Sequence, residues 1–173
     1  VIDYYDMGSG HMIDLPFNLS AKEPSILEIM KYKPSLLSFS GDKLLGSVQA
    51  GIIIGNKDLI EKIKKNQLLR MLRVDKITLS ILEDNLNSYL KNELDNIPTL
   101  KMLFASLETL EKRANTLKEK IQDICTCEVI ATQTLIGGGT TPNRKIPSIA
   151  LTILYKDFKV NKIEKLFRAN NLI

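Results

Sequence analysis

The sequence predicts an α/β protein in two parts, an α/β layer over residues 1–92 and a small α+β domain over residues 93–173. Three observations carry this. Short apolar runs alternate with helical periodicities through the first half, as in a layered α/β fold. Glycine clusters close the strand-like runs at Gly8-Ser9-Gly10, Gly41, Gly46 and Gly55. The second half opens on a helical stripe and goes on to two alternating runs.

Taken in order, Val1 to Tyr5 is a short apolar and aromatic run that reads as a buried strand ending on Asp6. Ser25 to Tyr32 is a short helix with Ile26, Leu27, Ile29 and Met30 on its apolar face. Leu36 to Ser40 and Gln49 to Ile54 are the next strands, joined through Gly41-Asp42-Lys43-Leu44-Leu45-Gly46. Asn56 is placed to cap a helix through Asp58, Leu59, Ile60 and Ile63. A longer helix spans Val74 to Tyr89, and Asn92 to Leu100, interrupted by Pro98, reads as a linker.

In the second half Leu103, Leu107, Leu110, Ala114, Leu117, Ile121 and Ile124 follow a 4-3-4-3-4-3 spacing, with Lys and Glu opposite. A stripe this short predicts a helix packed on a small sheet. Cys127 to Thr134 and Pro147 to Tyr155 read as that sheet's paired strands, with a turn at Gly137-Gly138-Gly139. Val160 to Ala169 closes as a helix.

Composition excludes several classes. With 44% hydrophobic and 25% charged residues the chain is an ordinary globular protein rather than a disordered one. No apolar run approaches the ~20 residues that span a bilayer. Two cysteines, Cys125 and Cys127, do not make a secreted disulfide scaffold, so a cytoplasmic location is the default. A net charge of +4 permits a polyanionic partner without requiring one. Val1 already sits inside a strand-like run, so a piece of a longer protein is expected.

Lys43 stands between two glycines beside Asp42. A lysine that bonds to an aldehyde must lose its proton, which a buried or electropositive site favours. Alone, Lys43 reads as a surface lysine in a glycine-rich loop. Asp6 adds weight, because a pyridoxal ring nitrogen must stay protonated to draw electrons, and a carboxylate at a strand end upstream is one way to hold that proton. Alone, Asp6 reads as a turn residue before Gly8.

The blocks Asp6-Met7-Gly8-Ser9-Gly10, Ser38-Phe39-Ser40-Gly41-Asp42-Lys43-Leu44-Leu45-Gly46, Gln49-Ala50-Gly51-Ile52-Ile53-Ile54-Gly55, Leu69-Arg70-Met71-Leu72-Arg73-Val74-Asp75-Lys76 and Ile97-Pro98-Thr99-Leu100 occur in this order. In sequence and spacing they resemble the cofactor-lysine region of the bacterial selenocysteine synthase family, the L-seryl-tRNA(Sec) selenium transferases. One departure is Ser47-Val48, where the family has Gly-Pro, and it bears on the loop behind the lysine.

The resemblance implies the C-terminal half of the large domain of a fold type I pyridoxal-phosphate transferase, followed by the family's small C-terminal domain. It implies pyridoxal 5'-phosphate on Lys43, with Asp6 at the ring nitrogen and Asp42 as a further active-site carboxylate. Arg70 and Arg73, at i and i+3 on one helical face, are implied as the oxyanion site for selenophosphate. Ser38 and Ser40 are the hydroxyls for the cofactor phosphate. The implied reaction converts seryl-tRNA(Sec) to selenocysteinyl-tRNA(Sec) through a dehydroalanyl species, in a homo-oligomer.

The family's ring-stacking residue and much of its phosphate cup belong to the first half of the large domain. Residues 1–173 alone are therefore expected to bind cofactor poorly and to catalyse nothing. Two other readings stay open: a fold type I enzyme acting on a free amino acid, and a fragment that only binds or assembles. His11, the single histidine, reads as structural. Cys125-Thr126-Cys127 lacks the second ligand pair that zinc needs and reads as packing at a helix–strand junction.

Overall fold

The computed structural model describes residues 1–137, 144–156 and 158–170. They form two compact units, one built on Val1–Phe104 with Ile136–Arg144 and the other on Ala105–Leu135 with Lys145–Ile173. The turn expected at Gly137-Gly138-Gly139 lies, beyond Gly137, outside the described residues.

In the first unit, strands β1 (Tyr4–Gly8), β2 (Leu36–Ser40) and β3 (Gly51–Gly55) form one sheet in that order. β1 and β2 run parallel and β3 returns antiparallel to β2. Helix α1 (Ile26–Lys31) starts at a capping box, in which Ser25 accepts from the Glu28 amide while the Glu28 carboxylate accepts from the Ser25 amide. Alternation along β2 sends Leu37 and Phe39 to one face, where Ile26, Ile29 and Leu45 complete a buried cluster. Ile52, Ile54, Leu82 and Tyr89 pack against that cluster.

The run expected as a buried strand ending on Asp6 differs in two respects. β1 continues to Gly8, and Tyr4 is 60% exposed. Among the described residues β1 pairs only with β2, which leaves it at the sheet edge with its outer face uncovered.

Helices α2 (Lys57–Lys64), α3 (Leu69–Leu72) and α4 (Lys76–Leu90) follow β3. The segment read as a linker is instead structured: a short 3-10 turn at Leu94–Asn96 leads into helix α5 (Pro98–Leu103). Pro98 occupies the first helical turn, where its missing N–H costs nothing, so it starts a helix here rather than breaking one. Ile97, Leu100 and Leu103 are buried. This segment packs with the first unit, so the division falls after Phe104 and not at residue 92.

In the second unit, helix α6 (Leu107–Ile121) begins at a Ser106 cap that accepts from the Thr109 amide. It packs on the hairpin of β4 (Thr126–Leu135) and β5 (Lys145–Leu154), the arrangement its stripe predicts. Helix α7 (Val160–Ala169) closes the unit over the span read from sequence.

Candidate active site

The carboxyl ends of the two parallel strands are where open α/β sheets bind ligands, and Asp6, Ser38 and Lys43 come together there. Asp6 and Ser38 are register partners across β1 and β2. The Ser38 hydroxyl donates to Asp6 Oδ1 at 2.9 Å, and Tyr4 Oη lies 2.6 Å from Ser38 Oγ. Because the Ser38 proton points to the carboxylate, the Tyr4 hydroxyl donates to Ser38. Sequence reasoning missed Tyr4. Its signal was the two-residue strand period that puts it on the same face as Asp6.

Between Asp6 and Gly8 the register slips, a bulge that re-aims the strand end. Gly8 then takes φ 69, and a Cβ built there would lie 3.9 Å from Lys43 Nζ. The amine therefore sits over the bare glycine, which follows Asp6 by two residues along the chain.

Lys43 is half-buried, while the next two residues, Leu44 and Leu45, are 1% and 0% exposed. These leucines pull the loop into the core and leave the lysine at its rim. Backbone bonds close the loop: Gly41 N–H to Ala50 O (2.8 Å), Ser47 N–H to Gly41 O (2.8 Å) and Gly46 N–H to Lys43 O (3.0 Å). Leu44 N–H donates to Ser9 O at 3.0 Å, tying the loop to the turn after β1. Gly46 has φ 72, and a Cβ there would come within 2.6 Å of Ile97 Cγ2. That contact packs the Ile97-Pro98-Thr99-Leu100 block against the lysine loop. The departure at Ser47 keeps the amide bond to Gly41 and leaves its hydroxyl buried without a partner.

The other marked residues are more dispersed. Ser40 ends β2 with no side-chain hydrogen bond among the described residues, and Asp42 is exposed on the loop. Arg70 lies within the four-residue α3, but Arg73 is its extended C-cap residue (φ −63, ψ 137). The two do not share one helical face as the spacing suggested, because α3 ends at Leu72. Both are exposed, and among the described residues no ion pair engages them, Lys43, Asp42 or Asp6.

The residues at this sheet end suit pyridoxal phosphate. An amine stands over an empty glycine face, and a carboxylate braced by a hydroxyl lies along the same strand. No cluster of three or more His, Cys, Asp or Glu able to hold a metal occurs among the described residues. Cys125 donates to Ile121 O at 3.4 Å and Cys127 to Lys118 O at 4.0 Å, which ties both thiols to the end of α6.

His11 is 1% exposed, and among the described residues neither ring nitrogen makes a well-formed hydrogen bond. Burial lowers its pKa from 6.5, opposed by the carboxylates of Glu23, Glu28 and Asp14. A histidine held neutral by the fold binds its proton more readily when unfolded. Its contribution to stability is thus complete above about 6.5 and is lost as pH falls below that value toward the depressed pKa. Urea midpoints between pH 7.5 and 5 are expected to decline on this account, and His11→Leu to flatten the slope; an unchanged slope would count against it.

The family model for L-seryl-tRNA selenium transferase matches residues 1–172. The chain is 72% identical over its whole length to the L-seryl-tRNA(Sec) selenium transferase of Aliarcobacter butzleri. It is 65% identical to that of Sulfurimonas denitrificans and 48% to that of Wolinella succinogenes, again over its whole length. In each case the chain spans 38% of the relative's length. The chain belongs to the L-seryl-tRNA selenium transferase family.

Proposed function

We propose that, within a full-length protein, this region carries the cofactor lysine of a pyridoxal-phosphate enzyme of fold type I that makes selenocysteinyl-tRNA(Sec) from seryl-tRNA(Sec) and selenophosphate. The observation that carries the reading is the Lys43 amine over Gly8, on the strand that bears Asp6. Family membership supports the reaction, and the parallel β1–β2 pair with its loops at the carboxyl end supports the fold type. In this reading the first unit, built on Val1–Phe104, completes the cofactor-binding domain, and the second unit is the small C-terminal domain.

Each residue has a task of its own. Lys43 Nζ would hold the cofactor, and as a free amine it would take the seryl α-proton. Asp6 would hold the proton of the ring nitrogen, its Oδ1 oriented by Ser38. Ser38 and Ser40 border the cofactor phosphate, and Asp42 is a second carboxylate beside the amine. Arg70 and Arg73 match a phosphate-like oxyanion through their planar guanidinium forks. Bound pyridoxal phosphate supplies the electron sink that the α-proton's departure needs. The exposed faces of β1 and Asp6 support the further reading that residues 1–173 alone are inactive and that sites are completed in a homo-oligomer.

The test is conversion of seryl-tRNA(Sec) by the full-length protein with pyridoxal phosphate and selenophosphate, read as selenium incorporated into the aminoacyl-tRNA. Turnover of free amino acids with no product on tRNA would replace this reading with the free-amino-acid one. No helix among the described residues is long and apolar enough to cross a membrane.

A further inference from the structure

Two side chains of α4 hold the lysine loop from behind. Tyr89 Oη donates to Leu45 O at 3.0 Å, and Asn85 Nδ2 donates to Gly46 O at 3.2 Å. Four residues apart, they lie one above the other on a single helical face. They grip successive carbonyls, the second and third after Lys43. The other hydrogen bonds of this loop run through the backbone.

The chemistry of both groups suits a fixed grip. Burial pushes the Tyr89 phenol up to about 12, so it remains a donor across any working pH. Asn85 keeps its Oδ1 buried without a partner. Burying half an amide unsatisfied carries a cost that a solvent-facing rotamer would avoid, and the bond to Gly46 O is the gain that offsets it. On its other side the same stretch is bounded by Ile97 and Thr99 against Gly46. The segment Leu44-Leu45-Gly46 is thus fixed by leucine burial, by packing and by two directional bonds.

We propose that Asn85 and Tyr89 are positioning residues: a two-point clamp from α4 that orients the peptides after Lys43 and so keeps its amine over Gly8. As a statement about catalysis the inference rests on the cofactor-lysine reading; as a statement about the loop it stands by itself.

The experiment uses the cofactor-free full-length protein, with timed acylation by acetic anhydride and peptide mass spectrometry to follow Lys43. Exposed Lys62 and Lys101 serve as internal references. In Tyr89→Phe and in Asn85→Asp, labelling of Lys43 is expected to rise about fivefold, the change that losing one hydrogen bond produces in a local opening equilibrium. Lys62 and Lys101 should keep their rates, and so should Lys43 in Glu83→Gln, a change on an exposed position of α4. In the reconstituted enzyme both clamp variants lower kcat and leave KM for seryl-tRNA in place.

Should Tyr89→Phe fail to fold, Asn85→Asp, which keeps the side chain's size, decides the matter. Lys43 labelling unchanged in a folded variant overturns the clamp. The cofactor reading fails by a different result, a lysine-linked chromophore that persists in Lys43→Ala, so the two failures are told apart.

Discussion

Lys43→Ala in the full-length protein is expected to abolish both the absorbance of the lysine-linked cofactor and the formation of selenocysteinyl-tRNA, the latter by ~10⁴-fold or more. In the proposed function two roles would be lost together, the covalent tether and the base for the α-proton. The loop itself should survive. Leu44 and Leu45 remain buried, and the bonds from Leu44 N–H to Ser9 O and from Gly46 N–H to the residue-43 carbonyl use backbone atoms only. Circular dichroism and the urea midpoint should therefore stay close to the parent's. Lys43→Arg sharpens the test, since it restores positive charge at the same place in a group that does not lose its proton at working pH. An effect due to charge alone would be rescued by arginine, and one due to a free amine would not. Retained activity in Lys43→Ala would move the reacting amine elsewhere in the protein.

Much of the fold could be read from sequence where local and tertiary signals agree. β2 and α7 occupy the spans read for them because strong apolar patterns are bounded by punctuating residues on both sides. The Pro98 segment failed because proline carries opposite meanings at the start and in the middle of a helix. Only the packing of Ile97 against Gly46 decides between them. Tyr4 sat in a run that looked buried, and the openness of the β1 edge depends on partners that a local pattern does not specify.

The same distinction separates the legible part of the site from the rest. Lys43, Asp6 and the glycines around them form compact blocks with chemistry in their composition. Asn85 and Tyr89 are an amide and a phenol on a largely polar helix, where such residues usually face water. Their bonds reach back 39 and 44 residues, and no local pattern encodes a reach of that kind. Arg70 and Arg73 illustrate the reverse: an i, i+3 spacing implies a shared face only if the helix continues, and α3 stops one residue short.

Asp6→Asn is expected to lower kcat by about 10²–10³-fold, the usual effect of removing one fixed electrostatic partner from a reacting group, with KM for seryl-tRNA unchanged. The substitution isolates charge from shape. Asparagine keeps an oxygen where Oδ1 accepts from Ser38, so the Tyr4–Ser38 chain persists and β1 retains its register with β2. What disappears is the negative charge that, in the proposed function, would keep a proton on the ring nitrogen. Ser38→Ala makes the complementary change, preserving the charge while releasing the carboxylate from its hydroxyl. Because a hydrogen bond to a charged group is worth ~1.5–3 kcal/mol and a released carboxylate still reaches the ring part of the time, its effect should be smaller, about tenfold. The order Asp6→Asn, then Ser38→Ala, then Tyr4→Phe follows from distance along the chain of hydroxyls. If Asp6→Asn instead turns over at the parental rate, the carboxylate does not face the reacting ring, and Lys43 must work beside a different acid.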